Sequence, residues 1–460
     1  MPVVLCSLLP ARAQISSTTI LVMPPHKTLR RSSILCLAIL CAAGMVYYHL
    51  CIFVPRTLAI RSAQGFGGGY SFGADFYPIW LTSGEALRHH RDPYAPAMTR
   101  QIQIGLFGRP LDSSSLAAPT DYRAFAYPAF ADVLFWPSAA LPFSVVRILL
   151  ALILGAATLF SLFLWLHALG LSPGAGTLAL MALLTLTSYT VLEGLFAAQL
   201  GLLAGFFLAA SVAALVSGRL FLSGSLLALT LIKPQMMALV AAYLLMWCVY
   251  RWRARWRFLA GFLFVSLLLG GASLLIWPNW ISEWLQVIAG YRQYSTPPLI
   301  SYLLGGWIGP RLGPFLIGAL VIGAIVLAAR MRDASPTSAK FSLIVSLLLT
   351  VTVITLLPGH AVYDHIVLLP GILLIALSWP SFAERPLFRV LLCVTAFVVF
   401  WQWICAPVVI ALQPVRSPHL FADVILLPIR TAASIPFAVF AILGLMTWRE
   451  MHDKTVADQI

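Results

Sequence analysis

The sequence predicts an all-α, polytopic membrane protein with about twelve transmembrane helices and interfacial helices in its first large loop. Three observations carry this. Apolar residues make up 61% of the 460 and charged residues only 10%, with a mean hydropathy of +0.93; a soluble domain is nearer half apolar and a quarter charged. Apolar runs of roughly 20 residues recur almost end to end, each long enough to cross a bilayer as a helix. Basic residues gather in the short segments between those runs, as orientation signals do.

The formal net charge is +14. No soluble basic domain holds it, which argues against nucleic acid as the partner and for the lipid bilayer. The 7 cysteines include no CxxC pair, so neither a disulfide framework nor a zinc site is expected.

Residues 1–32 read as a cytoplasmic tail, followed by a transmembrane domain over 33–447 and a second cytoplasmic tail over 448–460. Arg30 and Arg31 precede the first span, 34–54, and place the N-terminus inside. A long extracytoplasmic loop, 54–144, follows. It carries two half-apolar pieces, 76–89 and 130–141, the second broken by Pro137. Neither spans comfortably, so both are expected to lie on the membrane surface. Further spans are expected at 145–169, 175–192, 200–216, 220–232, 235–250, 258–277, 315–329, 341–357, 366–378, 390–409 and 424–446, with a second extracytoplasmic loop over 278–310.

The orientation is self-consistent. It puts Arg219, the cluster Arg251, Arg253, Arg255 and Arg257, then Arg330, Arg332, Lys340, Arg385, Arg389, Arg449 and Lys454 inside. Fewer basic residues fall in the short outer loops. The bias holds only if 130–141 does not span.

Transporters and proton pumps carry ionisable groups inside their spans. Here the expected hydrocarbon interior is nearly free of them. One set gathers at the outer face instead: Asp75, Asp92, Arg123, Glu193, Lys233, Arg292, His360, Asp364 and His365. A site at a membrane surface suits an amphiphilic substrate whose polar head sits at the interface.

Each candidate has a bland reading beside the chemical one. Asp75 stands at the start of a surface helix, as an N-cap or as a general base. Lys233, before Pro234, is a snorkelling lysine or a phosphate partner. Gln199 opens a span, as any polar helix start would. Trp80, Tyr94, Tyr127 and Trp136 form an interfacial aromatic belt or sugar-stacking surfaces. His360 and His365 are five apart, poor spacing for one metal; with Asp364 they better suit hydrogen bonding to a phosphate or sugar. The glycines from Gly65 to Gly69 lack the GxGxxG, Walker lysine and strand of a nucleotide loop.

The order of these motifs resembles the GT-C superfamily of polyprenol-phosphate-dependent glycosyltransferases, and within it glycosyltransferase family 87. The matching features run in order from Asp75-Phe76-Tyr77 with Trp80, through Asp92-Pro93-Tyr94, Tyr127-Pro128, Gln199-Leu200-Gly201 and Ile232-Lys233-Pro234 with the basic loop 251–257, to Tyr363-Asp364-His365. None is specific alone.

The resemblance implies a GT-C fold and an inverting transfer of a hexose, by family precedent mannose. The donor would be a polyprenyl-phosphate sugar, and the acceptor a lipid or glycan at the extracytoplasmic face of a bacterial inner membrane. It implies Asp75 as catalytic base and Lys233 and His365 at the donor phosphate, with Arg292 and Arg123 as further phosphate candidates. Tyr77, Trp80, Tyr127, Gln199, His360 and Asp364 are the candidate substrate contacts. Many GT-C families carry an acid pair; here Ala74, Phe76 and Tyr77 flank Asp75, so no bridging metal and no cofactor is expected. The alternative is a transporter or flippase of envelope glycan precursors.

Overall fold

The computed structural model describes residues 28–111, 122–291, 293–382, 386–413 and 424–457. Among them the chain is helical with no β-strand; one isolated bridge pairs Pro298 with Pro358. A helix satisfies its own backbone polar groups where water is absent.

The N-terminal tail to residue 27 lies outside the described residues. The first span is longer than expected. Helix α1 (Thr28–Tyr47) passes through a π-helical turn (Tyr48–Phe53) into α2 (Val54–Ala63). The first loop then carries three helices where two were expected: α3 (Tyr77–His89), α4 (Pro96–Phe107) and the short α5 (Phe130–Phe135), which runs into a 3-10 turn (Trp136–Ala140). The extra one, α4, starts on Pro96 and stops at Gly108 in the left-handed region, φ 72°.

Next come α6 (Phe143–Ala168), α7 (Ala175–Leu186) and α8 (Tyr189–Ala197). The expected single span over 175–192 is two helices bent by 53°. Ser188 causes the break, because its hydroxyl caps the Val191 amide and starts α8 afresh. Then follow α9 (Leu200–Val216), α10 (Leu220–Leu229), α11 (Pro234–Tyr250) and α12 (Trp252–Ile276). The basic segment expected as a loop lies largely in the first turns of α12. Arg255 is buried there, donates to the Trp247 carbonyl and sits 3.6 Å over the Trp247 ring. Helices α10 and α12 cross closely: a Cβ on Gly224 would collide with the Phe258 carbonyl, and one on Gly261 with that of Phe221.

The second loop is mostly helical, with α13 (Trp280–Tyr291) and the start of α14 (Leu299–Arg330), which kinks at Gly309, φ 64°. The chain ends with α15 (Ala339–Thr355), a 3-10 segment (Val362–Leu368), α16 (Leu369–Phe382), α17 (Pro386–Leu412) and α18 (Leu427–Ala457). Helix α18 therefore continues well into the expected C-terminal tail.

Seven described helices are long and apolar enough to cross a membrane: Ser33–Ala63, Phe143–Ala168, Trp252–Ile276, Leu299–Arg330, Val362–Trp379, Pro386–Leu412 and Leu427–Glu450. The bent α7–α8 pair makes up to eight, and four apolar helices, α9, α10 with its 3-10 end, α11 and α15, are shorter. The protein is an integral membrane protein. The expected figure of about twelve counts the short apolar helices as full spans. Helix α15 forms the centre, with Leu343 through Thr355 all buried. Its Thr350, Thr352 and Thr355 hydroxyls donate back to carbonyls one turn earlier at 2.7–2.8 Å, so they need no other partner. Leu267, Leu275 and Phe315 are among the apolar side chains left outward, as lipid contact requires.

Candidate active site

The site is assembled at the C-terminal end of α8. A helix end leaves carbonyls without intrahelical partners. Here two of them hold the incoming first loop: the Gly73 amide donates to Phe196 O at 2.8 Å, and the Asp75 amide to Ala197 O at 3.1 Å. Helix α8 stops because Ala198 turns left-handed, φ 56°. That turn brings Gln199 beside Asp75.

Asp75 does not cap α3. That helix starts at Tyr77 without a side-chain cap. Its carboxylate instead accepts from Arg123 Nη1 on one oxygen and from Gln199 Nε2 on the other. Arg123 is itself in the left-handed region, φ 52°, uncommon for a residue with a side chain. Its second nitrogen donates to the Gly69 carbonyl at 2.6 Å.

Lys233 follows the 3-10 turn Thr230–Ile232, and Pro234 starts α11. Its side chain does not snorkel: Lys233 is 6% exposed. Nζ donates to Gln199 Oε1 at 2.8 Å and to both oxygens of Asp364 at 2.7 and 3.0 Å. It also lies 5.0 Å from the Tyr363 ring centre. Gly201 is the reason Asp364 fits, since a Cβ there would collide with Asp364 Oδ1. Two cations and two carboxylates are thus linked through one amide. The amide has only one sensible orientation, carbonyl to the ammonium and NH2 to the carboxylate.

Burial works to raise the Asp75 carboxyl. The Arg123 charge and hydrogen bond, the Gln199 hydrogen bond and the Lys233 charge outweigh it and hold the group below the ordinary carboxylate range. Tyr127 behaves oppositely: burial, then the negative charges of Asp75 and Asp364, push its hydroxyl above its ordinary value and keep it neutral.

Residues 125–358 match the family model of glycosyltransferase family 87. The chain belongs to glycosyltransferase family 87. No curated protein and no solved structure matches it. The family makes the protein an enzyme that transfers sugar. The matched segment holds Tyr127, Gln199 and Lys233; Asp75, Arg123, Asp364 and His365 lie outside it in sequence and join it in space, His365 as the immediate neighbour of Asp364.

Of the expected site residues, the fold of this family 87 enzyme brings together Asp75, Arg123, Gln199, Lys233 and Asp364, with Tyr127 close enough to feel both carboxylates. His365 is buried beside them; its Nδ1 lies 3.3 Å from Ala432 O, and Nε2 has no protein partner. Tyr77 and Trp80 make their ring contacts with each other and with Phe143, and Trp80 Nε1 donates to Leu141 O at 3.0 Å, so they fasten α3 to α6. His360 is exposed and 2.7 Å from Thr296 Oγ1, where it ties the loop before α14 to the turn after α15. Asp92 accepts from the Tyr94 amide at 2.8 Å as a turn residue. Arg292 lies outside the described residues.

Two members were given no role by the sequence. Tyr363 stands inside a quoted motif, beside Asp364. Tyr291 ends α13 and influences both Tyr127 and Tyr363 electrostatically. An aromatic residue beside a polar one is too common in a membrane chain to single either out.

Proposed function

We propose that the protein is an inverting glycosyltransferase that moves a hexose, by family precedent mannose, from a polyprenyl-phosphate donor to a lipid or glycan acceptor at the extracytoplasmic face. The observation that carries this reading is the continuous chain Arg123–Asp75–Gln199–Lys233–Asp364. It puts a base and a phosphate-binding cation one amide apart.

Asp75 accepts the proton of an acceptor hydroxyl as that oxygen attacks the anomeric carbon. The bond from that carbon to the phosphate oxygen breaks, the polyprenyl phosphate leaves from the opposite face, and the centre inverts. Asp75 holds one hydrogen bond on each oxygen, and a carboxylate has further lone pairs to take the proton. It is kept ionised by its neighbours, which a base requires. The leaving group is already a phosphate and needs its growing charge stabilised. Lys233 supplies this, with Arg123 as second cation. His365 donates from Nδ1 to a backbone carbonyl, so its Nε2 is an acceptor suited to a sugar hydroxyl rather than to a phosphate oxygen.

Charge supports this face. Helix α11 has 17 residues, about 25 Å at the α-helical rise. Lys233 stands at one end of it and Arg251 and Arg255 at the other. Basic residues favour the cytoplasmic side, and Lys233 at the far end of α11 supports a site toward the other face.

The test is incubation of membranes containing the protein with radiolabelled polyprenyl-phosphate mannose. Label that moves into a lipid or glycan product supports the reading. Label that stays on the donor under all acceptor conditions overturns it.

A further inference from the structure

We infer that His49, Glu193 and Tyr70 form a positioning network that sets where Asp75 and Arg123 stand, and thereby governs turnover without touching substrate. This rests on Asp75 being the base.

The network starts in the first span. His49 lies in the π-helical turn Tyr48–Phe53, where the helix widens and side chains are re-aimed. It is fully buried, and its Nε2 stands 2.9 Å from Glu193 Oε2. Tyr70 donates its hydroxyl to the same oxygen at 3.1 Å. The Glu193 side chain is 12% exposed. Aromatic rings wall the cluster: His49 packs at 5.8 Å from Tyr189 and 6.0 Å from Phe196, and Tyr70 at 5.3 Å from Phe196.

Two connections lead from this cluster to the site. Glu193 lies one turn before Phe196 and Ala197 on α8, and those two carbonyls hold the amides of Gly73 and Asp75. Tyr70 directly follows Gly69, whose carbonyl accepts from Arg123. Both partners of the Asp75–Arg123 pair are therefore fastened to elements that meet at one carboxylate.

The chemistry points the same way. A largely buried ionisable pair in so apolar a chain is costly and is retained for function more often than for stability. The cluster also keeps two buried polar atoms, His49 Nδ1 and the Tyr189 hydroxyl, without hydrogen-bond partners among the described residues. A span optimised for packing alone would hold apolar residues at these positions. What the polar ones add is direction, because a hydrogen bond fixes the rotation of α8 against the first span where apolar contact would let it slide.

The experiment uses the purified full-length protein in lipid nanodiscs with radiolabelled polyprenyl-phosphate mannose. His49→Ala and Glu193→Ala are expected to lower kcat at least tenfold with donor KM within threefold of the wild type. Glu193→Gln, which keeps an oxygen acceptor, is expected to recover to within threefold. Unchanged kcat in both alanine variants, or Glu193→Gln as impaired as Glu193→Ala, overturns the inference. If the alanine variants do not fold, Tyr70→Phe removes only the oxygen and should lower kcat about threefold at constant KM; no change overturns the inference.

A second readout needs no turnover. In an Asp75→Cys protein with its native cysteines changed to alanine, the rate of mixed-disulfide formation with a cationic methanethiosulfonate, which releases methanesulfinate, reports where residue 75 stands. Adding His49→Ala should shift that rate at least fivefold, and an unshifted rate overturns the inference. A wild-type protein that transfers nothing from the probe donor while the modification rate at residue 75 shifts in the variant overturns the donor reading and supports the network.

Discussion

Asp75 and Lys233 are joined by a single side chain: the Gln199 NH2 group donates to the carboxylate while its carbonyl accepts from the ammonium at 2.8 Å. The group read as base and the group read as phosphate anchor therefore share one rigid spacer. A displacement reaction needs the nucleophile and leaving group held on opposite sides of one carbon, and fixed spacing between their partners supplies that orientation.

Asp75→Asn keeps the size of the side chain but offers one acceptor oxygen instead of two, so it loses one of its two hydrogen bonds, and it cannot take a proton. Turnover should fall by about 10²–10⁴-fold, the usual worth of a general base. Membrane insertion should change little, while thermal stability should fall because Arg123 loses its carboxylate partner. Product formation by purified variant and wild type, compared at equal folded protein, checks this; near-normal turnover would remove the base assignment.

Lys233→Met leaves the Asp364 carboxylate buried and unanswered. Breaking one partner of a buried pair costs about 3–5 kcal/mol. The variant should unfold at lower temperature and show a raised donor KM. Adding Asp364→Asn removes the orphaned charge and should restore most of the stability but not the KM. Thermal unfolding in detergent alongside donor titration separates the two effects.

The acid limb of the pH–rate profile should move upward in Arg123→Gln. Burial alone raises the Asp75 carboxyl, and Arg123 is the largest influence opposing it. In the wild type the folded value is depressed, so the stabilisation from ionised Asp75 is present above the unfolded carboxylate value. It is lost as pH falls through the folded one. Without Arg123 the base protonates at higher pH and the rate declines earlier on acidification. Profiles of kcat/KM for the two proteins test this; superimposable acid limbs would contradict it.

Gly201→Ala puts a methyl group where Asp364 Oδ1 lies. Helix α9 should tolerate alanine, so the damage should be local. Stability should fall by about 1–3 kcal/mol, as for other overpacked sites, and donor KM should rise because Lys233 loses its fixed partner. Helical content by circular dichroism should be unchanged.

The sequence revealed the membrane class because apolar length is a direct physical requirement of the bilayer. It revealed Asp75, Lys233 and Asp364 because charge at helix ends is rare in so apolar a chain. It did not reveal that these meet. The link is Gln199, whose neighbour Ala198 must adopt a left-handed turn that nothing in its residue type announces. His49 was passed over for a similar reason. A single histidine inside an apolar run looks incidental until Glu193, 144 residues away, is placed against it. The bend before α8 was hidden because Ser188 is one polar residue in a stretch whose hydropathy stays high on both sides.

The pairing of Arg123 with Asp75 and of Lys233 with Asp364 also bears on which lipids the site refuses. Anionic headgroups in the surrounding bilayer far outnumber any sugar donor, and an unanswered arginine or lysine would collect them. Here a headgroup must first displace a resident carboxylate. A bare phosphate gains too little from that exchange, whereas a glycosylated one brings hydroxyls that can bond to the groups it disturbs. On the donor proposed above, internal neutrality is a filter against the commonest competitors in the enzyme's own solvent.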